Sequence, residues 1–335
     1  MSPQRSAVSS GSVRFLIVTP AAGGIATGNR CSADQWCEVI RALGHEAEVA
    51  TRYEGQDVDA LIALHAVRSS DAVGRFLDAR PAGKVVLVLT GTDIYPRPDE
   101  QALETMHKAD LLIALQAKAV DILPAAFRER TRIIVQSASS TSRRRPPAGQ
   151  SFDVAVVANL RRVKDPLLAA RASRLLPADS SVQILHAGAV LEPEYGELAR
   201  REMEENPRYR WLGALDSDGA LQLIADCDVL VVSSLSEGAG RVVGEAVVAG
   251  TPVLSRRIDG VVGLLGEQYP GYYPVGDSAA LASLLSRVES DAAFVGAVDA
   301  ADVVVQVVET LFPVYGLSDE AIQMLMQYGW PGNVR

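Results

Sequence analysis

Residues 231–254 read VVSSLSEGAGRVVGEAVVAGTPVL, and this stretch decides the fold prediction. It begins with a short apolar run up to Ser233, which predicts a buried strand. A glycine-rich turn follows, and then a helix that starts near Gly240 and ends at Gly250. The first N–H groups of such a helix have no partner inside the helix and often bind a phosphate above the sheet. The stretch therefore predicts an anion-binding turn between a strand and a helix.

Two glutamates flank this turn: Glu237 lies in it, and Glu245 lies eight positions later in the helix. Carboxylates on either side of free N–H groups can accept hydrogen bonds from the hydroxyl groups of a sugar. The spacing resembles the donor-binding signature of the family-4-like GT-B glycosyltransferases. An ordinary strand-to-helix turn with two solvated glutamates is the alternative that the spacing leaves open.

Length, charge and cysteine content narrow the class of protein. A chain of 335 residues is long enough for two domains. The net charge of −9 argues against a nucleic-acid partner. No apolar run is long enough to cross a bilayer, so we expect no membrane partner and a cytoplasmic protein. Cys31, Cys37 and Cys227 show no paired spacing and are expected to be reduced core thiols.

The first half of the chain alternates short apolar runs with helical patterns, of which residues 29–43 are the clearest helix. Apolar runs of this kind are typical of parallel strands that are covered on both faces. The alternation predicts a doubly wound sheet, whose ligands bind at the carboxyl ends of the strands. The predicted strands are residues 13–19, 46–51, 60–65, 84–90, 110–116 and 131–136.

The same pattern restarts after residue 151, with predicted strands at 153–160, 182–188, 209–213, 228–234 and 252–255. Two such halves joined by a linker predict an α/β protein of the GT-B type: two Rossmann-like doubly wound domains facing an interdomain cleft. The expected division is a disordered N-terminus (1–12), an N-terminal Rossmann-like domain (13–137), a linker (138–151), a C-terminal Rossmann-like domain (152–290) and an atypical helical tail (291–335). The resemblance to GT-B glycosyltransferases implies that the first domain binds the acceptor and the second the UDP-sugar.

A glycine-containing loop between Thr19 and Asn29 follows the first strand and opens a helix. Glycines such as Gly24 let backbone N–H groups approach an anion. The spacing is not GxGxxG, and no acidic residue at the end of the next strand suits a ribose, so a dinucleotide is disfavoured. A plain turn without a ligand remains the alternative.

Polar residues follow the third and fourth strands: His65 and Arg68 after the third, Thr90 and Asp93 after the fourth. The carboxyl ends of parallel strands share one edge of the sheet, so these side chains are expected near the glycine loop. Such a convergence suits a binding or catalytic site, although a lone histidine is more often structural.

Arg161 and Lys164 follow the first strand of the second half, in the sequence NLRRVKDP. Two positive charges at this strand end would neutralise a nucleotide diphosphate and stabilise it as a leaving group. The alternative interpretation is that Arg161 and Lys164 are solvated at the surface and bind no ligand.

Three Asp-x-Asp pairs raise the question of a metal ion. Those at 57/59 and 226/228 precede strands and therefore lie at the wrong edge of the sheet, and the pair at 216/218 suits a helix N-cap. No His, Cys or carboxylate cluster has the spacing of metal ligands. We expect no catalytic metal and no cofactor; the sugar donor would be a co-substrate.

A closer resemblance extends over residues 13–290. LTGTDIY, ALHAVRS, QSA, NLRRVKDP, NPRYRWLG, SSLSEGAGRVVGEA and GLLGEQYPGYYPVGD together resemble the selenosugar synthases of selenoneine biosynthesis. The resemblance implies transfer of a sugar from UDP-N-acetylglucosamine or UDP-glucose to selenophosphate, with a 1-selenosugar, phosphate and UDP as products. A selenium anion is a strong nucleophile at neutral pH, so this reaction needs little help from a general base.

The resemblance and the strand-end chemistry together give the predicted site. Arg161 and Lys164 would hold the diphosphate, Glu237 the sugar and Glu245 the ribose. The predicted catalytic residues are Arg161, Lys164, Glu237 and His65. The predicted donor-binding residues are Gly24, Gly213, Gly238, Ala239 and Glu245, and the predicted acceptor-binding residues are Thr27, Asn29, Arg68, Thr90 and Asp93.

The chain departs from this family pattern at several positions near the cleft. Val67 stands where the family has an arginine, Asn159 where a histidine is usual, and Arg241 and Val261 where asparagines are expected. These departures affect the acceptor more than the UDP-sugar. The alternatives are a glycosyltransferase with another acceptor and a non-catalytic protein that binds a UDP-sugar.

Residues 317–335, LSDEAIQMLMQYGWPGNVR, resemble instead the end of the AAA+ domain of bacterial enhancer-binding activators. The chain contains no GxxxxGK[ST] loop, which ATP hydrolysis by that class requires. We expect this tail to contribute little to function.

Overall fold

The computed structural model describes residues 12–20, 27–136, 138, 141 and 151–298. Within these residues the chain forms two parallel six-stranded sheets with helices between the strands, which confirms the predicted α/β fold of the GT-B type. The predictions for the N-terminal segment 1–11, for Gly24, for most of the linker and for the tail from residue 299 lie outside the described residues.

The first sheet contains strands that are buried on both faces, as the five apolar residues of ALIAL in the third strand show. Its strands, in the spatial order β2-β1-β3-β4-β5-β6, are β1 (Arg14–Val18), β2 (Glu46–Ala50), β3 (Ala60–Leu64), β4 (Lys84–Leu89), β5 (Leu111–Ala114) and β6 (Thr131–Ile133). The helices of this half are α1 (Gly28–Ala42), α2 (Ser70–Ala79), α3 (Glu100–Lys108), α4 (Lys118–Asp121) and α5 (Ala125–Arg128).

The second sheet is also fully parallel, in the order β12-β11-β10-β7-β8-β9. Its strands are β7 (Phe152–Val157), β8 (Val182–Ala187), β9 (Tyr209–Gly213), β10 (Val229–Val232), β11 (Val253–Arg256) and β12 (Tyr272–Tyr273). One turn of 3-10 helix (Arg162–Lys164) follows β7. The helices are α6 (Leu168–Ser173), α7 (Pro193–Glu205), α8 (Ser217–Asp226), α9 (Arg241–Ala249), α10 (Asp259–Leu265), α11 (Ser278–Ser290) and α12 (Ala292–Ala297).

Each sheet has one point where the chain reverses its direction of travel across the sheet. In the first sheet this point lies between β1 and β3, and in the second it lies between β7 and β10. Loops diverge at such a point and leave a crevice at the carboxyl ends of the strands, which is where open α/β sheets bind ligands. The loops after these four strands carry most of the predicted site.

The two helices that matter most for the site begin and end where the sequence predicted, within one residue. Thr27 caps α1, because its Oγ1 accepts a hydrogen bond from Arg30 N at 3.3 Å. Helix α9 starts after Gly240 (φ 57°) and ends at Gly250 (φ 71°), both in the left-handed region that glycine tolerates.

Buried apolar side chains pack across the boundary between the two halves. One core cluster includes Ile62 and Leu115 of the first half together with Val154 and Ala239 of the second. Cys37 and Cys227 are buried cysteines, as predicted, whereas Cys31 is only partly buried. The two halves therefore share apolar packing beside the cleft.

The buried imidazole of His186 makes the stability of the second half depend on pH. Its Nδ1 accepts from the Tyr209 hydroxyl at 2.7 Å and its Nε2 donates to Ala158 O at 2.8 Å. Burial lowers the pKa of His186 to about 4, against about 6.5 in an unfolded chain. The unfolded state therefore binds more protons at mildly acidic pH, and the stability present at neutral pH is lost as the pH falls.

We expect the free energy of unfolding to fall by about 2 kcal/mol between about pH 7 and about pH 5 through this group. Urea denaturation at several pH values measures this slope. His186→Gln should show a flatter slope over the same range, because the titrating group is gone. An unchanged slope in that variant would contradict the assignment.

Candidate active site

A cavity of about 800 Å³ lies between the two sheets, at the carboxyl ends of their strands. Its walls come from the loops after β1, β3, β4, β7, β8, β9 and β10 and from the first turns of α1 and α9. Both crevices of the doubly wound sheets open into it. Of the predicted site residues, it is lined by Thr27, Asn29, His65, Arg68, Thr90, Arg161, Lys164, Glu237, Gly238, Ala239 and Glu245.

Lys164 and Glu237 form an ion pair inside this cavity. Lys164 Nζ donates to Glu237 Oε1, and the side chains are 20% and 14% exposed. The lysine comes from the 3-10 turn after β7 and the glutamate from the turn after β10. The pair places a cation and a hydrogen-bond acceptor side by side at the crevice of the second sheet.

The segment that carries Lys164 is fixed from behind by three contacts. Ser233 Oγ donates to Lys164 O at 2.8 Å, and Leu235 N donates to Val163 O at 2.8 Å. Asp165, in the left-handed region at φ 39°, forms an ion pair with the fully buried Arg256 at the end of β11. The position of the lysine is therefore set by two strand ends and not by its own flexible side chain alone.

Arg161 lies beside this pair with an unsatisfied donor. Its Nε is buried and has no hydrogen-bond partner among the described residues. Burial lowers the pKa of the guanidinium, while the nearby Glu237 opposes this shift and the positive charge of Arg68 adds to it. An arginine remains charged in proteins, and Arg161 lines the cavity, so its positive charge is suited to an anion that enters there.

Glu245 and Arg241 form a second ion pair on the first turns of α9. Arg241 Nε donates to Glu245 Oε1 at 2.9 Å, and Arg241 Nη1 donates to Gln35 Oε1 of α1 at 3.2 Å. Burial raises the pKa of Glu245, and the charge of Arg241 opposes that shift. A side chain of the second half thus reaches across the cleft to the first.

His65 lines the cavity, but both of its ring nitrogens are engaged. Nδ1 accepts from Arg68 N at 3.3 Å, which leaves Nε2 as the donor to Thr92 Oγ1 at 3.0 Å. Its backbone has a positive φ of 77°, and burial lowers the pKa of the imidazole. The geometry describes a neutral histidine that orders the loop after β3, and its catalytic role stays a prediction.

Asp93 does not line the cavity, which corrects its predicted role in acceptor contact. The side chain is 3% exposed and accepts hydrogen bonds from Ala66 N and Thr90 N, each at 2.9 Å. It joins the loop after β3 to the loop after β4. A short acid in a turn satisfies neighbouring backbone donors more readily than it reaches a ligand.

The first turn of α1 faces the same space as Arg68. Thr27, Asn29 and Arg68 line the cavity, and Arg68 is exposed in it. The N-terminus of a 15-residue helix carries partial positive charge and free N–H groups. Together with the guanidinium of Arg68 it makes this end of the cavity favourable for a small anion.

The turn between β10 and α9 approaches the loop after β4 closely through the backbone of Gly238, Thr90 and Gly91. A Cβ added to Gly238 would lie 2.6 Å from Thr90 O, and one added to Gly91 would lie 2.5 Å from Gly238 N. Only glycine permits this approach of the two halves. Gly213, predicted to bind the donor, ends β9 at φ 77° just outside the lining, where the next residue, Ala214, faces the cavity.

Gly260 packs against the turn between β10 and α9 from another side. A Cβ there would lie 2.0 Å from Glu237 O. We expect Gly260→Ala to displace Glu237, to lower the free energy of unfolding by about 1–3 kcal/mol, and to weaken donor binding. Urea denaturation and calorimetry measure the two effects. Gly74→Ala is the matched control, because its Cβ would meet nothing within 4 Å; equal effects of the two changes would contradict this role.

Several residues that shape the site were not among the predicted ones. Arg256 and Asp165 fix the lysine segment, and Arg241 and Gln35 hold Glu245. A charged residue directly after the apolar run PVLS was the available signal for Arg256. Neither its burial nor its partner follows from the local sequence, because the partner lies 91 positions away.

The described residues offer neither a metal-binding cluster nor a membrane-spanning helix. No group of three His, Cys, Asp or Glu side chains there could hold a metal ion. None of the described helices is long and apolar enough to cross a membrane.

Comparisons with known proteins agree with this architecture. Residues 139–296 match the family described as "Glycosyl transferases group 1". A D-inositol 3-phosphate glycosyltransferase of Mycolicibacterium vanbaalenii is 28% identical over 208 residues, which are 56% of this chain and 44% of that protein. The chain therefore spans less than half the length of this curated relative.

Solved structures share the fold over nearly the whole chain. Anabaena Alr3699/HepE, solved in complex with UDP and glucose, superposes with a TM-score of 0.70 at 17% identity, covering 94% of this chain and all of that one. A sucrose-phosphate synthase from Thermosynechococcus elongatus superposes with a TM-score of 0.68 at 17% identity, covering 94% and 98%. At these identities the likeness establishes the fold alone.

Proposed function

We propose that this chain, a GT-B protein whose residues 139–296 match the glycosyl transferases group 1 family, is a glycosyltransferase that uses a UDP-sugar. The observation that carries the proposal is one interdomain cavity that contains the Lys164–Glu237 pair, Arg161 and Glu245. The complex of the related Anabaena fold with UDP and glucose supports this class of donor. UDP-N-acetylglucosamine and UDP-glucose are the proposed donors.

The chemistry follows from the charges at the carboxyl ends of β7 and β10. The bond between the sugar C1 and the diphosphate oxygen breaks, and UDP leaves with the electron pair. Lys164 and Arg161 stabilise the negative charge that develops on the diphosphate. Glu237 accepts hydrogen bonds from sugar hydroxyls and holds C1 toward the acceptor, and Glu245 binds the ribose.

For the acceptor we propose selenophosphate, bound where α1 begins. Arg68, Asn29 and Thr27 line the cavity there, and Thr90 lines the same cavity. The selenium anion attacks C1 and forms the C–Se bond; hydrolysis of the P–Se bond then gives the 1-selenosugar and phosphate. The neutral His65, with both nitrogens engaged, is consistent with a nucleophile that requires no general base.

A second candidate is a glycosyltransferase of the same fold with a phosphorylated alcohol as acceptor. The observation that favours it is Val67, which is only half-buried beside Arg68 and supplies no second positive charge to the anion end of the cavity. The relative from Mycolicibacterium vanbaalenii is a D-inositol 3-phosphate glycosyltransferase, and the N-terminus of α1 would suit that phosphate equally well. A non-catalytic protein that only binds a UDP-sugar is the remaining alternative.

Mass spectrometry of reactions with each UDP-sugar tests the proposal. The full chain is incubated anaerobically with selenophosphate, with inositol 3-phosphate or with no acceptor, and UDP release is measured in parallel. We expect a product with the isotope pattern of selenium only in the first reaction. UDP release with inositol 3-phosphate alone would favour the second candidate. Calorimetric UDP binding without turnover would favour a binding protein, and absence of UDP binding would exclude all three readings.

A further inference from the structure

The ion pair between Arg241 and Glu245 leaves one polar atom of each partner open to the cavity. Glu245 Oε1 accepts from Arg241 Nε, while Oε2 accepts no hydrogen bond from the described residues. Arg241 uses Nε and Nη1, while Nη2 has no partner among them. Neither free atom is sealed from solvent, and both residues line the cavity. An acceptor and a donor therefore face the ligand side by side.

The place of this pair along the cavity identifies which part of the ligand meets it. The Lys164–Glu237 pair lies at the turn before α9, and Glu245 lies one helical turn beyond Arg241. A diphosphate at Lys164 and the start of α9 puts the nucleoside farther along the helix. A neutral ion pair with one free donor and one free acceptor suits two adjacent hydroxyl groups better than a phosphate.

We propose that Arg241 and Glu245 read the two ribose hydroxyls of the nucleotide separately, one hydroxyl each. Glu245 Oε2 accepts a hydrogen bond from one hydroxyl, and Arg241 Nη2 donates to the oxygen of the other. Because Glu245 Oε1 already accepts from Arg241 Nε, its Oε2 is the oxygen open to one hydroxyl, and Arg241 Nη2 is a donor open to the other. Arg241 is thus a specificity-determining residue, and the inference rests on the proposed use of a UDP-sugar.

Gln35 gives the first half of the chain a part in this recognition. Its Oε1 accepts from Arg241 Nη1 at 3.2 Å and limits the rotation of the guanidinium. Planar guanidinium groups that are fixed at two nitrogens present the third in a defined direction. Gln35 is a positioning residue that acts through Arg241.

Calorimetric titration of the full chain with UDP, 2′-deoxy-UDP and 3′-deoxy-UDP tests the inference without a catalytic assay. We expect each deoxy analogue to bind about tenfold more weakly than UDP, the usual effect of a lost hydrogen bond to a charged group. In Arg241→Met, the affinity for UDP should fall about tenfold, and one of the two analogues should then bind as tightly as UDP. The other analogue should still bind more weakly than UDP by the same factor as in the unmodified chain. Gln35→Ala should also narrow the difference in affinity between UDP and the analogue that Arg241→Met affects, but by a smaller factor.

A purely structural role of Arg241 would give another pattern. If Arg241→Met lowered the affinities for UDP and both analogues by one common factor, or changed none of these affinities, the inference would be overturned while the proposed function stood. Arg75→Met is the control, because Arg75 makes an exposed (i, i+4) pair with Asp71 on α2 and should change no affinity. If the unmodified chain did not bind UDP, both this inference and the proposed function would fail.

Discussion

Replacing Lys164 with methionine is expected to lower kcat about 100-fold to 1000-fold, with a much smaller change in the affinity for UDP. Loss of one preorganised positive donor at a developing charge has effects of this size. The change also leaves Glu237, which is 14% exposed, without its counter-charge. Turnover of the UDP-sugar measured at saturating donor, together with calorimetric binding of UDP, separates the two effects.

The neighbouring Arg162→Met is the matched control for this prediction. Arg162 lies in the same 3-10 turn but is exposed and does not line the cavity. We expect its kcat to stay within about twofold of the unmodified chain, since a solvated charge contributes little. Equal losses in the two variants would mean that the net charge of the turn matters and the placement of Lys164 does not.

Replacing Asp165 with asparagine is expected to lower the free energy of unfolding by about 3–5 kcal/mol. Arg256 is fully buried, and its Nε and Nη1 already have no partner among the described residues. Loss of the Asp165 charge would leave a buried cation uncompensated. Asparagine retains the shape and tolerates the left-handed backbone at this position (φ 39°). Urea denaturation at neutral pH measures the effect.

Arg256→Met should lower the free energy of unfolding less than Asp165→Asn does, because Asp165 would keep its other partner, Arg171 Nη2 at 2.8 Å. The double variant should recover part of the stability, since it removes the uncompensated charge. Asp71→Asn breaks an exposed pair with Arg75 and should change the free energy of unfolding by less than about 1 kcal/mol. A small effect of Asp165→Asn would show that water or another group compensates Arg256.

The strands were predictable because each is a run of apolar residues buried on both faces. Every predicted strand is present, from Arg14–Val18 to Val253–Arg256, with ends that differ by a few residues. The two-residue strand Tyr272–Tyr273 was not predicted. It is too short to show a pattern, and it is defined by its parallel pairing with β11, which is distant in sequence from any local signal.

The site was predictable to the extent that strand ends specify position. Loops that follow parallel strands converge on one edge, so Arg161, Lys164, Glu237 and Thr90 could be placed together from the order of the elements. The direction in which each side chain points could not be predicted in this way. Asp93 turns inward to backbone donors and His65 uses both ring nitrogens locally, and nothing in their sequence neighbourhoods distinguishes them from ligand-contacting residues.

By itself the sequence determined two doubly wound sheets and the edge at which their functional loops lie, since apolar runs, glycine turns and strand ends are local properties of the chain. Only the tertiary structure decided which partner each charged side chain has. Lys164 with Glu237, Asp165 with Arg256, and Arg241 with Gln35 join positions 73, 91 and 206 residues apart. The partner of a charged side chain depends on which loops the packing of the two sheets brings within hydrogen-bond distance, and no local pattern encodes that distance.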